Sequence, residues 1–479
     1  MTDASIATAD SAANPHLLSA AATAADIAAA VQAGTVSARA VIDAALARIA
    51  ATDSKVNAFT DVTAGRAHTR ADALDAARAR GESLGPLAGV PFAVKNLFDI
   101  AGLPTRAGSK INRELAPATR DATLVERLEA AGAVLVGGLN MGEYAYDFTG
   151  ENVHDGASRN PHALDHMTGG SSGGSGAAIA SGEVPLALGS DTNGSIRVPS
   201  SLCGIFGLKP TYGRLSRARS FPFVTAFDHL GPFARSAADL ALAYDAMQGA
   251  DGDDPAVADQ PVEPAFPSLM QGVGGLRIAI AGGYFRQRGM PEALAAVDSV
   301  AQALGARRMV DIPDAARARA SAYIITAADG AALHAERLRT RPQDYDPAVR
   351  DRLIAGLAIP AAWTMAAQRF RRHFRAQMLA LFEEVDILLA PATPTRAPKL
   401  GQKTFVLDGV TLPVRPNLGL FTQPISFIGL PVVAVPVWPD DGLPLAVQVI
   451  APPWREDLAL RVAHELEMRG IGRAPVASL

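Results

Sequence analysis

The run GGSSGGSGAAIASGEVPLALGSDTNGSIRVPS, Gly169 to Ser200, constrains this chain more than any other stretch. It opens on six small residues, Gly169 to Gly174, and continues through small helix formers to Ser181-Gly182. A short apolar strand, Val184 to Leu188, follows, and then a second small-residue turn, Gly189 to Ser195. Glycine admits positive φ and close backbone approach, so such turns leave N–H groups free to face a ligand. Two serine-bearing turns on either side of one helix–strand unit can place both hydroxyls at one point. A flexible Gly/Ser linker has similar composition. Here, though, Ala178-Ile179-Ala180 and the apolar strand lie inside the run and must pack.

Five further segments recur with it: GVPFAVKNLFDIAG, whose apolar run ends on Lys95; GLKPTYGRLS (Gly207 to Ser216); DHLGPFARSAADLALAYDAM (Asp228 to Met247); DILLAPATP (Asp386 to Pro394); and GLPVVAVPV (Gly429 to Val437). Together, over nearly the whole chain, they resemble the amidase signature family of serine amidohydrolases, which use a Ser–cis-Ser–Lys triad. The spacing of Ser171 and Ser195, 24 residues, fits that family. The resemblance implies an α/β fold, with one large mixed, twisted sheet covered by helices on both faces. It implies Ser195 as nucleophile, Ser171 as a bridging serine after a cis peptide bond, and Lys95 as general base. Backbone N–H groups of Thr192, Asn193, Gly194 and Ser195 would form the oxyanion hole. Gly169, Gly170 and Ser172 would flank the substrate, and neither cofactor nor metal is called for.

The chemistry of the residues agrees. An amide yields only when a hydroxyl is deprotonated as it adds and fixed donors hold the oxyanion. Ser195 follows a tight turn, Asp191 to Gly194, after a buried strand. Lys95 closes an apolar strand pattern where an ammonium is costly, which lowers its pKa towards that of a usable base. Asp191 and Arg197 read as a buried ion pair bracing the turn, because arginine stays charged and cannot shuttle protons.

Two positions depart from the family. Asn193 stands where glycine is usual; it either tolerates the turn's backbone or lays an amide over the substrate. Arg106 stands where a small hydroxyl residue is common, and a guanidinium there would take a substrate carboxylate bidentately; the alternative is an ordinary surface arginine. If Arg106 proves structural, Arg337, Arg339 and Arg350 are the replacements. Met141, Tyr144, Phe221 and Phe223 read equally as pocket walls or as core.

The stretches GSDTNGSIRVPSS, TRAGSKIN and RARSFPFV are similar to the branch that contains 1-carboxybiuret hydrolase and oxalurate amidohydrolase-like proteins. That branch implies hydrolysis of a small linear ureido carboxylate with release of ammonia. It also implies a small helical accessory subunit, in a homodimer or heterotetramer. The alternatives are the glutaminase subunit of an aminoacyl-tRNA amidotransferase and a broad aliphatic or aryl amidase.

Composition sets the remaining bounds. A net charge of −4 argues against direct nucleic-acid binding. A single cysteine, Cys203, excludes an intrachain disulfide and reads as a structural thiol. His162 and His166 lie in a loop without companion ligands, so no metal site is expected. The longest apolar run, Pro424 to Trp438, is too short and proline-rich to span a bilayer, and MTDASIATAD lacks a signal peptide's basic and apolar regions. The expectation is a cytoplasmic enzyme without membrane contact. Residues 1–15 read as disordered and 16–479 as a single amidase domain, with a signature core at 86–235 and a variable segment at 250–370. Within that segment, helices are expected at Pro291 to Leu304 and Arg317 to Ala332, then a charged, loop-rich stretch from Arg337 to Ile359.

Overall fold

Strands that are apolar along their whole length need cover on both faces, and the chain supplies them in alternation with Ala-rich helices. The computed structural model describes residues 15–439 and 442–479. The segment read as disordered therefore lies outside the described residues, apart from Pro15, which opens a 3-10 turn, Pro15–Leu18.

One mixed sheet of 11 strands organises the molecule. From edge to edge it runs Phe59–Val62, Val134–Leu139, Pro91–Lys95, Leu186–Asp191, His229–Ala234, Phe206–Lys209, Val432–Val437, Leu445–Ile450, Ile387–Pro391, Ile278–Ala281, Arg308–Val310. Pro91–Lys95 is parallel to both its neighbours, with Val94 opposite Leu188 and Lys95 opposite Leu139. That register brings the lysine level with the end of the central apolar strand. All of Pro91–Lys95 and of Leu186–Asp191 is buried.

The central strand runs further than the sequence suggested. Gly189, Ser190 and Asp191 pair with Gly231, Leu230 and His229, so the second turn begins at Thr192. The ladder continues because His229–Ala234 is itself a strand. The helix Gly173–Ala180 packs on Pro91–Lys95, Leu186–Asp191 and His229–Ala234. Its neighbour Arg197–Cys203 ends on Gly204, whose φ of 65° is the left-handed cap glycine allows. Ser37 caps the helix Ala38–Val56, accepting from the Ala40 N–H at 3.1 Å.

The segment expected to be loop-rich is instead helical. One helix runs Ala315–Thr340 and a second Pro347–Leu357, the latter capped by Asp346, which accepts from the Ala348 N–H. Close approach explains part of this: a side chain at Gly330 would come 2.7 Å from the Phe223 ring, and one at Gly356 would come 2.2 Å from the Ala327 carbonyl. These two helices pack on one another and both contribute residues to the cavity beside Ser195.

Candidate active site

Lys95 is fully buried at the end of its strand. Its Nζ lies 2.7 Å from Ser171 Oγ, 2.8 Å from Ser190 Oγ and 3.1 Å from Ser172 Oγ. Ser172 Oγ–H donates to the Ser190 carbonyl at 3.2 Å, so towards the lysine it accepts. All three hydrogen-bond partners of the amine are hydroxyls, and none is a carboxylate. Burial pushes Lys95 down to about 7, against the pull of Asp191, Asp228 and Asp147. Near neutrality the free amine is populated, and its lone pair can accept the Ser171 proton. The Gly170–Ser171 peptide bond is cis.

The turn carrying Ser195 is held from below. Arg197 and Asp191 are both wholly buried and pair at 2.9 Å. Arg197 also donates to the Thr422 carbonyl, to Gln448 and to Ser426 Oγ. Asp191 Oδ2 accepts from the Ile196 N–H at 3.1 Å. Burial alone would raise the Asp191 carboxyl, but the Arg197 guanidinium outweighs it and holds it well below the usual carboxylate range. Gly194 takes φ 145°, and a Cβ there would sit 2.2 Å from Thr422 Oγ1. Thr422 Oγ1–H donates to the Asn193 carbonyl at 2.7 Å. Among the described residues the N–H groups of Asn193, Gly194 and Ser195 make no backbone hydrogen bond. They are free to meet an oxyanion. Ser195 Oγ makes no hydrogen bond to Ser171, so only the Lys95–Ser171 half of the relay is closed; such contacts commonly tighten when substrate binds.

Ser195 opens on a cavity of about 20 Å³ lined by Tyr146, Thr192, Asn193, Tyr323, Thr326 and Arg352 among others. A larger one of about 390 Å³, which includes Ser190, Arg217, Phe221 and Asp228, shares Ala145, Thr192 and Phe223 with it. Phe221 and Phe223 are therefore walls, in keeping with one of their two sequence readings.

Six residues that the sequence offered as substrate contacts line neither cavity. Arg106 donates to Asp61 at 2.8 Å and lies 3.7 Å from Asp155, so its charge is spent inside the protein. Tyr144 is locked by Ser109, Asn112 and Arg337 and packed against the tilted rings of Phe221, His334 and Tyr345. Met141 is core, its carbonyl accepting from Asn152. Gly169 and Gly170 line neither cavity; they lie against Pro199 and Asp147, where a Cβ would come within 3.1 and 2.7 Å. Ser172 belongs to the lysine cradle. The replacement arginines are also occupied: Arg337 by Asn112 and Tyr144, Arg339 by Glu336, and Arg350 by Asp351.

Three functional residues escape the sequence reading. Ser190 stands inside the quoted motif, yet its placement in a turn conceals its role as a strand residue facing Lys95. Asp228 accepts from Thr192 Oγ1 at 2.6 Å and from the Phe223 and Val224 N–H groups, fixing the cavity's shared wall. Arg352 has no local signal, being one of several arginines in a segment expected to be loop. His162 and His166 engage Trp438 and Asp165, and the Cys203 thiol donates to the Thr168 carbonyl. Among the described residues no helix is long and apolar enough to cross a membrane.

Comparison with known proteins matches this architecture. The Amidase family model matches residues 40–460. AtzE, a 1-carboxybiuret hydrolase subunit of Pseudomonas sp. (strain ADP), is 58% identical over 445 residues, covering 92% of this chain and 97% of that protein. A glutamyl-tRNA(Gln) amidotransferase subunit of Synechococcus sp. (strain WH7803) is 39% identical over 465 residues, 91% of this chain and 94% of its own. Among solved structures, an inhibitor-bound vestigial protein complex bearing on the origins of an s-triazine catabolic enzyme superposes with a TM-score of 0.94 at 56% identity, covering 95% of this chain and all of that one. A bacterial aryl acylamidase of the amidase signature family superposes with a TM-score of 0.85 at 27% identity, covering 93% and 96%. With the fold, the buried lysine–serine cradle and the family match in agreement, the chain belongs to the amidase signature family and is a hydrolase of amides.

Proposed function

We propose that this protein releases ammonia from a small linear ureido carboxylate, of the 1-carboxybiuret or oxalurate type, through an acyl-enzyme on Ser195. Lys95 acts as a neutral base on Ser171, which in turn accepts the Ser195 proton as the hydroxyl adds to the carbonyl. The N–H groups from Thr192 to Ser195 hold the oxyanion. Protonated Lys95 returns its proton through Ser171 to the leaving nitrogen, and water repeats the cycle on the ester.

Arg352 carries the choice of substrate. It lines the same small cavity as Ser195. Its Nη1 donates to the Tyr146 carbonyl at 2.9 Å and its Nη2 to Tyr323 Oη at 3.3 Å, with the guanidinium 3.5 Å over the Tyr146 ring. Its Nε has no partner, and no carboxylate pairs with it among the described residues. A cation held rigidly beside a nucleophile without a counter-ion favours an anionic substrate. The likeness to a 1-carboxybiuret hydrolase subunit supports the same class.

Ammonia release should be measured over carboxybiuret, oxalurate, allophanate, glutamine and simple aliphatic amides. Ser195→Ala is expected to abolish it, and Ser171→Ala to lower it by orders of magnitude. Arg352→Ala is expected to cut kcat/KM for anionic ureido substrates by about thirty- to a thousandfold, the equivalent of about 2–4 kcal/mol for an unpaired charge. Neutral amides should be nearly unaffected, and Arg352→Lys should recover only part of the loss. Equal losses on charged and neutral amides would refute the role of Arg352.

We further propose that the chain works in a multi-subunit assembly with a small helical accessory subunit, in the cytoplasm. Both relatives are named as subunits. Co-purification of such a subunit, and the mass of the complex in light scattering, test this.

A further inference from the structure

We propose that the side-chain carbonyl of Asn193 accepts a substrate N–H beside the scissile carbonyl, and so separates ureido groups from plain carboxamides. The inference rests on the ureido reading above and adds the atom that recognises it.

Asn193 is 6% exposed and lines the small cavity together with Ser195 and Arg352. Its Nδ2 donates to Thr326 Oγ1 at 2.9 Å, from the helix Ala315–Thr340. Thr326 is itself buried and lines the same cavity. This contact directs the nitrogen at Thr326 and the oxygen away from it. Its Oδ1 is buried and has no hydrogen-bond partner among the described residues.

Backbone conformation does not account for this residue. Asn193 is absent from the positive-φ positions, whereas its neighbour Gly194 takes φ 145°. The side chain is thus not tolerated as a substitute for glycine; it brings a buried acceptor to the edge of the nucleophile turn. Buried acceptors are nearly always satisfied, and one left open at a site calls for a donor from the ligand. A ureido group carries an N–H on the atom next to the attacked carbonyl. A carboxamide such as glutamine carries a CH2 there, which cannot donate. A site built around such an acceptor discriminates against the analogue lacking the donor, because binding that analogue leaves the acceptor dry and unpaired.

Hydantoate and succinamate make the comparison directly. They share length, charge and terminal carboxamide, and differ only in N–H against CH2. Isothermal titration on Ser195→Ala protein reads binding without turnover. Hydantoate is expected to bind about ten- to a hundredfold more tightly than succinamate. In the Ser195→Ala/Asn193→Ala double variant the ratio should collapse to within about threefold by the same rule. Thr326→Val, which lies off the turn and only releases the amide, should lose part of the preference. Equal binding of the two ligands, no binding of hydantoate, or a preference that survives Asn193→Ala overturns the proposal. Ammonia release by the unsubstituted protein separates the two layers: an Asn193-dependent preference with no turnover of any ureido acid sinks the hydrolytic reading alone.

Discussion

At the scale of single residues, the chemistry turns on an amine surrounded by hydroxyls. Because burial brings Lys95 down to about 7, kcat/KM should rise with pH through a midpoint near 7, and that limb should vanish in Lys95→Met; a flat profile would refute the base assignment. The same shift affects stability. An unfolded lysine holds its proton to about 10.4, so between about 7 and about 10 the unfolded chain binds a proton that the native state does not, and stability rises with pH. Below that window the full penalty of a buried ammonium remains. Lys95→Met should therefore raise the melting temperature, by more at pH 6 than at pH 10. Lys95 was legible in the sequence because an apolar run that closes on a cation buries a charge at a cost, and chemistry is the usual return for it. The pairing of Arg106 was not legible because its partner, Asp61, lies 45 positions upstream, where no local pattern links them.

At the scale of the element, the nucleophile turn is a short loop pinned by distant side chains. Arg197→Ala leaves Asp191 buried and unpaired and should cost about 3–5 kcal/mol in denaturant unfolding. The Asp191 carboxyl is held low in the fold and titrates near 3.9 when unfolded. Its contribution is complete above that value and is lost as pH falls below it. Wild-type protein should lose more stability between pH 5 and pH 3 than Asp191→Asn. Gly194→Ala, meeting Thr422 Oγ1 at an unfavourable φ, should lower kcat about a hundredfold while near-UV circular dichroism stays native, since misplacement of about 1 Å is enough for such a loss. The helix Ala315–Thr340 was only half legible. Its alanines and arginines favour helix throughout, but beyond Ala332 the charged residues mask the buried positions His334 and Leu338 that anchor it.

At the scale of the whole molecule, Lys95, Ser171 and Ser195 come from one continuous stretch, yet the sheet that aligns them is closed by strands from the other end of the chain. Val432–Val437 and Leu445–Ile450 lie in mid-sheet between Phe206–Lys209 and Ile387–Pro391. A chain truncated after Ile428 should therefore lose the cooperative thermal transition and fluorophosphonate labelling of Ser195 together. Retained labelling would show that the signature core folds alone. The alternating α/β pattern and the meeting of Lys95 with Ser171 could be read in advance because they are written locally, in runs and turns. The strand order, the cavity and the role of Arg352 could not, since each depends on which distant segments meet. Lys95 is rooted in the sheet, whereas Tyr323, Thr326 and Arg352 stand on two helices that pack on each other, the longer of them also on the helices Ala361–Leu381 and Gln423–Ser426. Heritable change can then accumulate at Tyr323 and Arg352 without touching the strands that carry the lysine–serine cradle, which gives descendants of such a protein a short mutational route to new substrates.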